Sequence, residues 1–241
     1  MDVKEESILG PEIVGHWYYV SKGRALRQLL GSLVVDEVLD VGAGSGVFSR
    51  QLLDAGICHG AVCVDIAYET ERTEIHSGRN IQFRRLINEV SQKLVLMIDV
   101  LEHVDDDVAL LRQYSESMPR DGHVLISVPA FDFLWSGHDV FLDHRRRYSL
   151  RQLEHVIHEA NLRPLCTRYF FASVFLGVCV ARLIDQRRVL SGRGNPKSAL
   201  RKHSAIVNWA LIKLHDVERI GLFRFNRLAG LTVICLAGFN R

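Results

Sequence analysis

Short apolar runs alternate with helical patterns through the first two thirds of the chain. Buried strands are predicted where apolar residues run together, at 35–41, 61–65, 94–98, 123–128 and 165–170, with a weaker candidate at 81–86. Apolar residues at helical spacing predict helices between them, at 16–30, 46–55, 105–118 and 149–162. Strands that alternate with helices are typical of right-handed crossover units, so the sequence predicts an α/β fold with a parallel sheet.

The last third of the chain is organised differently. Two helices are predicted over 172–189 and 204–219, a loop with several glycines lies between them, and a final apolar strand covers 231–239. We therefore expect a single domain with an N-terminal helical lid, a core, an inserted helical cap and a final strand. The expected bounds of these parts are 12–34, 35–170, 171–220 and 221–241.

Composition and charge narrow the class of protein. The 241 residues include 30 Lys and Arg against 28 Asp and Glu, and this formal net charge of +2 argues against a dedicated nucleic-acid binder. Five cysteines without a Cys-x-x-Cys pair favour reduced thiols in a cytoplasmic protein. The N-terminal residues lack the apolar core of a signal peptide, and the longest apolar run, 170–181, is shorter than the ~20 residues of a membrane span.

The richest segment is a glycine turn between the first strand and the next helix. It contains Gly42, Gly44 and Gly46, and glycine suits a turn whose backbone bends at positive φ and lets a ligand approach. At the carboxyl edge of a parallel sheet such a turn lies where ligands bind, although a tight corner without a ligand has the same pattern. Asp65 ends the next strand, 19 positions after Gly46, where an acid can accept the hydroxyls of a ribose.

The spacing of the glycines distinguishes between cofactors. Dinucleotide enzymes use Gly-x-Gly-x-x-Gly, whereas here Val47 stands at the third glycine position. A pyrophosphate ligand is therefore disfavoured, and a nucleoside without phosphates is favoured. Two alternatives stay open: an NAD-dependent oxidoreductase, and a non-catalytic subunit that senses a nucleoside.

Four ordered motifs resemble those of the class I S-adenosylmethionine-dependent methyltransferases. VLDVGAGSG at 38–46 matches their first motif, VCVD at 62–65 their second, LMIDVLEHV at 96–104 the segment after the fourth strand, and GHVLISVP at 122–129 the fifth strand. The resemblance implies a doubly wound, Rossmann-like sheet of seven strands, mostly parallel with an antiparallel last strand. It also implies S-adenosylmethionine as the cofactor.

A narrower resemblance points to a bacterial branch with methyltransferase type 11/12 domains, carried by HWY at 16–18, PAF at 129–131, LWS at 134–136, HD at 138–139 and HRRRY at 144–148. Members of this branch often accompany glycan, lipid or secondary-metabolite pathways. The acceptors of this branch are mostly unassigned, and we expect methyl transfer to a small-molecule or lipid/glycan-linked acceptor, at an oxygen atom.

The resemblance also implies which residues meet the cofactor. Asp40 and the turn would face the methionine part, Asp65 the ribose, and Asp99 the sulfonium. Arg24 of the N-terminal lid would reach the cofactor carboxylate, unless the lid is purely structural. The full set of expected cofactor-binding residues is Asp40, Gly42, Ala43, Gly44, Gly46, Asp65, Ile66, Asp99, Val100 and His103. Carboxylates near the strand ends suit a cationic cofactor because they lower the potential around it. The segment 83–88 lacks the acid that often meets adenine, so that contact stays open.

The loop 129–148 follows the fifth predicted strand and is expected to border the methyl group. His138 or His144 can take a proton from an acceptor hydroxyl at neutral pH, unless both are structural donors. Aromatic side chains suit an apolar or planar acceptor, and the arginine run 145–147 either binds an acidic acceptor or starts a solvated helix. The expected acceptor-binding residues are Trp17, Phe131, Trp135, Asp139, Arg147 and Tyr148.

Two further patterns have alternative explanations. Asp99, Glu102 and His103 are spaced to share one helix face, which His138 or His144 would complete as a site for a divalent ion, but we expect no metal here. Residues 182–202 carry seven Lys or Arg and one acid, which suits either a cap over the acceptor pocket or a weak peripheral contact with anionic lipid. We favour the cap. The sequence does not predict the oligomeric state.

Overall fold

A sheet of eight strands forms the centre of the molecule. The computed structural model describes residues 8–190, 198 and 201–239. Across the sheet the strands follow the order β3-β4-β2-β1-β5-β6-β8-β7. Their bounds are β1 Val35–Val41, β2 Cys58–Val64, β3 Arg72–His76, β4 Arg79–Arg84, β5 Leu94–Ile98, β6 His123–Pro129, β7 Leu162–Phe170 and β8 Thr232–Phe239.

The central strands are parallel, as the alternation of strands and helices predicts. β1 pairs with β2 on one side and with β5 on the other, and β4 and β6 extend the parallel region outward. The chain first builds the sheet toward β4 and then returns to the other side of β1. This reversal opens a crevice outside the carboxyl ends of β1 and β5, the place where open α/β sheets bind ligands.

Both faces of the central strands are buried. Val38 and Leu94 belong to the core on one face of the sheet, and their neighbours Leu39 and Val95 belong to the core on the other. Successive side chains on a strand point to opposite faces, so a continuous apolar run is what a strand covered on both sides requires. This explains why the short apolar runs predict these strands well.

Helices cover both faces of the sheet. They are α1 Trp17–Leu30, α2 Val47–Asp54, α3 Asp107–Ser115, α4 Gly137–Phe141, α5 Leu150–Glu159, α6 Phe175–Leu190 and α7 Ala205–Glu218, with a π-helical turn at Arg219–Phe223. Short 3-10 helices lie at Gly10–Gly15, Leu101–His103 and Asp132–Leu134. None of the helices in the described parts of the chain combines the length and the apolar character needed to cross a membrane.

The sheet has one strand more than the seven that the resemblance implies. The extra strand, β3, forms an antiparallel hairpin with β4 through Ser77 and Gly78, which have φ values of 51° and 74°. Two such residues make the type I′ turn that suits a hairpin. β3 lies at the sheet edge and is largely exposed, so it lacks the apolar run that predicts the buried strands.

The last strand is antiparallel, as expected. β8 inserts between β6 and β7 and runs antiparallel to both. The expected lid contains α1, and the expected cap contains α6 and α7. Most of the predicted loop 190–200 lies outside the described residues. The bounds that we assign to lid, core and cap stay predictions.

Candidate functional site

The glycine turn lies at the carboxyl end of β1, against Val100, two residues after the end of β5. Gly42, Gly44 and Gly46 have φ values of 64°, 53° and 72°, in the left-handed region that glycine enters most easily. A Cβ added at Gly42 would lie 2.7 Å from a methyl carbon of Val100. The turn therefore needs glycine both for its backbone conformation and for this close approach.

Asp65 joins the end of β2 to the glycine turn. One carboxylate oxygen accepts a hydrogen bond from the Gly44 amide at 3.0 Å, and the other accepts one from the Ala67 amide at 2.9 Å. Each carboxylate oxygen can accept two hydrogen bonds, so the group keeps acceptor capacity for paired hydroxyls. The Tyr68 hydroxyl donates to the Gly44 carbonyl at 2.6 Å and fixes the turn from the same side. The exposed side chain of Ile66 follows directly.

Asp40 lies beneath the turn and is buried. The Ser49 hydroxyl of α2 donates to its carboxylate at 2.7 Å. Burial raises the pKa of Asp40 to about 6, because the hydrogen bond from Ser49 only partly offsets the loss of water around the charge. At neutral pH the carboxylate is therefore ionised, although at a cost to stability.

Asp99 follows β5 and is paired with a lysine that the sequence patterns did not reveal as functional. The Lys22 ammonium of α1, fully buried, lies 2.7 and 2.5 Å from the two Asp99 carboxylate oxygens. Lys22 also donates to the Tyr18 hydroxyl at 2.8 Å, and Ser127 donates to Asp99 at 3.1 Å. Burial raises the pKa of Asp99, but the adjacent ammonium outweighs that effect and lowers it overall.

A weak signal for Lys22 does exist in the sequence. Tyr18 and Lys22 are four residues apart on a predicted helix, so they share a face, and that face carries aromatic residues expected to turn inward. Arg24, which we expected near the cofactor carboxylate, instead pairs with Asp216 of α7 at 2.5 Å. Lys22 is thus the cation that α1 brings to the carboxyl ends of the strands.

These residues fit the cofactor that the motifs imply. The glycine turn forms a cradle without side chains, Asp65 offers acceptors for ribose hydroxyls, and Asp99 stands beside the crevice between β1 and β5. When bound, S-adenosylmethionine supplies an electrophilic methyl group on a sulfonium. The individual contacts expected of Asp40, Val100 and His103 stay predictions, as does the environment of the adenine.

The loop after β6 is organised around Asp139, which is fully buried in α4. Its carboxylate pairs with Arg147 at 2.7 Å, with His144 at 2.9 Å and with Arg182 of α6 at 3.2 Å. It also accepts a hydrogen bond from the Ser136 amide and so caps α4. Burial raises the pKa of Asp139, but its hydrogen bond with His144 and the two guanidinium groups lower it well below its usual range.

The two candidate bases differ in their surroundings. His144 directs Nδ1 at the Asp139 carboxylate, so the neutral imidazole carries its proton on Nδ1 and leaves Nε2 as an acceptor. His138 is half-buried, and desolvation of its ring, followed by the charge of the nearby Arg182, lowers its pKa to about 3. The two rings lie 6.2 Å apart. A base with so low a pKa is poorly matched to proton transfer at neutral pH. His144, whose Nδ1 contacts Asp139, is therefore the better candidate for the general base.

Two of the expected acceptor-binding side chains hold the loop in place. Arg147 donates to the Ala130 carbonyl at 2.9 Å, and the Tyr148 hydroxyl lies 2.7 Å from Asp107 and 3.1 Å from the Leu101 carbonyl. Both side chains are buried. Contact of Arg147, Tyr148 and Asp139 with an acceptor stays a prediction.

The aromatic residues that are expected to bind the acceptor lie in three different environments. Phe131 stacks on Tyr169 with ring centroids 4.9 Å apart, and Trp17 stacks on His215 of α7 at 5.1 Å. Trp135 is half-buried, and its carbonyl accepts a hydrogen bond from Gln186 of α6. Their contact with an acceptor also stays a prediction.

The residues that could hold a metal ion differ in one member from the set Asp99, Glu102 and His103 that the sequence spacing indicates. Asp99 has a φ of 55° and lies outside the 3-10 helix Leu101–His103, so it does not share a helix face with Glu102 and His103. Instead, ligand atoms of Glu102, His103 and His144 lie within 4.8 Å of one another. Neither carboxylate oxygen of Glu102 has a hydrogen-bond partner in the part of the chain that the structure describes. Burial, followed by the charge of Asp99, raises the pKa of Glu102 well above its usual range.

A protein-family model described as a methyltransferase domain matches residues 16–167. No curated protein has a significant sequence match to the chain. Many solved structures do resemble it. One is a Haloferax volcanii methyltransferase in complex with the Trm112 methyltransferase activator, with a TM-score of 0.56, 15% identity, and coverage of 95% of this chain and 92% of that one.

Two further structures show how far this likeness extends. The Haemonchus contortus phosphoethanolamine N-methyltransferase 2, in complex with S-adenosyl-L-methionine, has a TM-score of 0.55 at 14% identity, covering 98% of this chain and 56% of that one. The [4+2]-cyclase SpnF has a TM-score of 0.53 at 12% identity, covering 90% and 80%. Since a cyclase shares the architecture, likeness at this level describes the fold, and the reaction has to be argued from the site.

Proposed function

The chain belongs to the methyltransferase-domain family, as a class I S-adenosylmethionine-dependent methyltransferase, and from that premise we propose that it methylates a hydroxyl oxygen. The acceptor we propose is a small molecule or a lipid- or glycan-linked compound. The observation that carries the choice of oxygen is the contact between His144 and Asp139, because an alcohol must give up its proton to become a good nucleophile, whereas a neutral amine already has a free lone pair.

His144 is the proposed general base. Nε2 of its imidazole accepts the proton of the acceptor hydroxyl while that oxygen attacks the methyl carbon. The proton turns the ring into an imidazolium, and the Asp139 carboxylate at 2.9 Å stabilises the new charge. Arg147 and Arg182 hold Asp139 in place, so they act as positioning residues.

The crevice residues orient the donor. Asp65 holds the ribose, Asp40 supports the methionine part beneath the turn, and Asp99 borders the sulfonium. Positioning the acceptor opposite the leaving sulfur, in a site with little water, can account for much of the rate of methyl transfer. Lys22 sets the orientation of Asp99 through its two short contacts.

The test uses a donor with an isotopically labelled methyl group. The full chain is incubated with the water-soluble and the lipid-soluble fractions of a bacterial extract, and the labelled products are identified by mass spectrometry. We expect label in an ether or ester oxygen position, with a His144→Ala chain as the inactive control. Label on nitrogen or carbon would contradict the proposed acceptor atom, and cofactor binding without any labelled product would favour the nucleoside-sensing alternative.

A further inference from the structure

Helix α7 turns an apolar face away from the protein. Ile206, Trp209, Val217 and Ile220 are 79%, 61%, 71% and 72% exposed, and their spacing places them along one side of the helix and its π-helical extension. Lys213 lies at the centre of this side and is exposed. These five residues are called the α7 face below. A surface helix usually has the opposite arrangement, with its apolar stripe against the core.

Three polar side chains on the opposite side of α7 attach the helix to the protein. Asn208 accepts a hydrogen bond from the Trp17 amide at 2.7 Å, and Asp216 pairs with Arg24. Glu218 accepts hydrogen bonds from the amides of Ala172 and Ser173 at 2.7 and 2.9 Å. The helix is therefore fixed in this orientation by specific contacts, and its apolar side is held outward.

Exposed apolar side chains also occur on the segments next to α7. Downstream of the α7 face they are Leu222, Phe225 and Leu228, and on one side of α6 they are Leu176, Val180, Leu183 and Ile184. The contacts of Glu218 with residues 172–173 place the start of α6 against the end of α7. Soluble monomers rarely expose large apolar patches, which usually mark an interaction site.

Charge decides which partner fits. Residues 201–228 contain only two acids, Asp216 and Glu218, and both have partners on the inner side of α7. Arg201, Lys213 and Arg224 are exposed. An apolar surface with positive charges matches an anionic lipid bilayer, whose headgroups attract lysine and arginine. A second copy of the chain would instead bring the same positive charges to the interface without acidic partners.

We infer that the α7 face docks on the surface of an anionic lipid bilayer. Trp209 suits the boundary between headgroups and acyl chains, because its ring has an apolar body and a polar N–H. Lys213 meets the lipid phosphates while the neighbouring apolar side chains enter the boundary. The contact is peripheral, with α7 lying in the plane of the surface.

Docking there places the membrane next to the crevice. α7 packs on α1 through Asn208 and Asp216, and α1 carries Lys22 to Asp99. One helix therefore separates the bilayer surface from the residues that border the methyl group. This favours an acceptor hydroxyl on a lipid-linked molecule, a step that rests on the proposed methyl transfer, whereas the docking itself does not.

The experiment is flotation of the full chain with vesicles of phosphatidylcholine, with and without about 30% phosphatidylglycerol. We expect binding to the anionic vesicles, at least about tenfold weaker binding to the neutral ones, and weakening by salt. The variants Lys213→Glu and Trp209→Ser/Val217→Ser should each lower binding to anionic vesicles by about tenfold or more. Ile75→Ser, which changes an equally exposed residue on edge strand β3, is the matched control and should bind like the original chain.

The flotation results distinguish membrane docking from its alternatives. No flotation with anionic vesicles, or equal binding by the α7-face variants, overturns it. If light scattering shows a dimer that the same variants dissociate, the occupant is a second copy and the lipid proposal is wrong. Titration with S-adenosylhomocysteine is run on every variant, because retained cofactor binding shows an intact fold. Failure of docking with normal cofactor binding and methyl transfer would leave the proposed function standing.

Discussion

The Lys22 ammonium lies 2.7 and 2.5 Å from the two carboxylate oxygens of Asp99, and so joins the N-terminal helix to the end of the central strand β5. The pair is largely shielded from water, since the Lys22 side chain is fully buried and that of Asp99 is 21% exposed. A cation placed here controls the charge that a cationic cofactor meets.

The first prediction concerns this pair. Lys22→Met should lower the free energy of unfolding by about 3 kcal/mol, because it leaves the Asp99 carboxylate, which is largely shielded from water, without its partner. Urea unfolding followed by circular dichroism measures the change. The double variant Lys22→Met/Asp99→Asn should recover much of the loss, and an additive loss in the double variant would show that the two side chains do not interact.

The second prediction concerns the pH dependence of stability through Asp40. The pKa of Asp40 in the folded chain is about 6, above the ~3.9 of an unfolded chain. Its contribution to the free energy of unfolding is therefore fully present at low pH and is lost as the pH rises through 6. The difference between the two pKa values corresponds to a loss of about 3 kcal/mol in the free energy of unfolding. Asp40→Asn should therefore stabilise the protein at pH 7.5 but not at pH 4.

Urea unfolding at both pH values checks this prediction. Asn at this position can still accept the hydrogen bond from Ser49, which makes it a conservative probe of the charge. Equal effects of the substitution at the two pH values would mean that the carboxyl titrates normally.

The third prediction separates the two candidate bases. His144→Ala should lower kcat by about 100-fold with cofactor affinity unchanged, as expected for the loss of a general base. His138→Ala should have a much smaller effect, since the low pKa of His138 keeps it from accepting protons near neutrality. His158→Ala, in the exposed last turn of α5, controls for the loss of a histidine.

Turnover with the acceptor found by isotope labelling gives the readout. A larger loss for His138→Ala than for His144→Ala would move the base to His138. Normal turnover by both variants would remove the proton-transfer role from the loop.

The sequence predicts the central sheet and the strand-end carboxylates because both follow from local patterns. A strand buried on two faces needs an apolar run, and Asp40, Asp65 and Asp99 interrupt or end those runs where the chain reaches the carboxyl edge. β3 has no such run, since an edge strand half in water selects polar residues.

The features that the sequence does not predict depend on contacts between residues far apart in the chain. A lysine on an amphipathic helix normally faces water. Nothing near Lys22 in the chain shows that it will contact Asp99, which is 77 residues away in the sequence. The apolar residues of α7 predict a helix but not which side faces outward, because that is set by the partners of Asn208, Asp216 and Glu218. The contact of His144 with Asp139 depends on the loop between them, not on a regular helical spacing.

The most direct test is calorimetric titration of the full chain with S-adenosylhomocysteine, alongside Asp65→Ala and the exposed control Glu69→Ala. We expect saturable binding at one site, weakened by about 2 kcal/mol, or roughly 30-fold in Kd, in Asp65→Ala and unchanged in Glu69→Ala. Absence of binding, equal affinity of Asp65→Ala and the original chain, or tighter binding of NAD would contradict it.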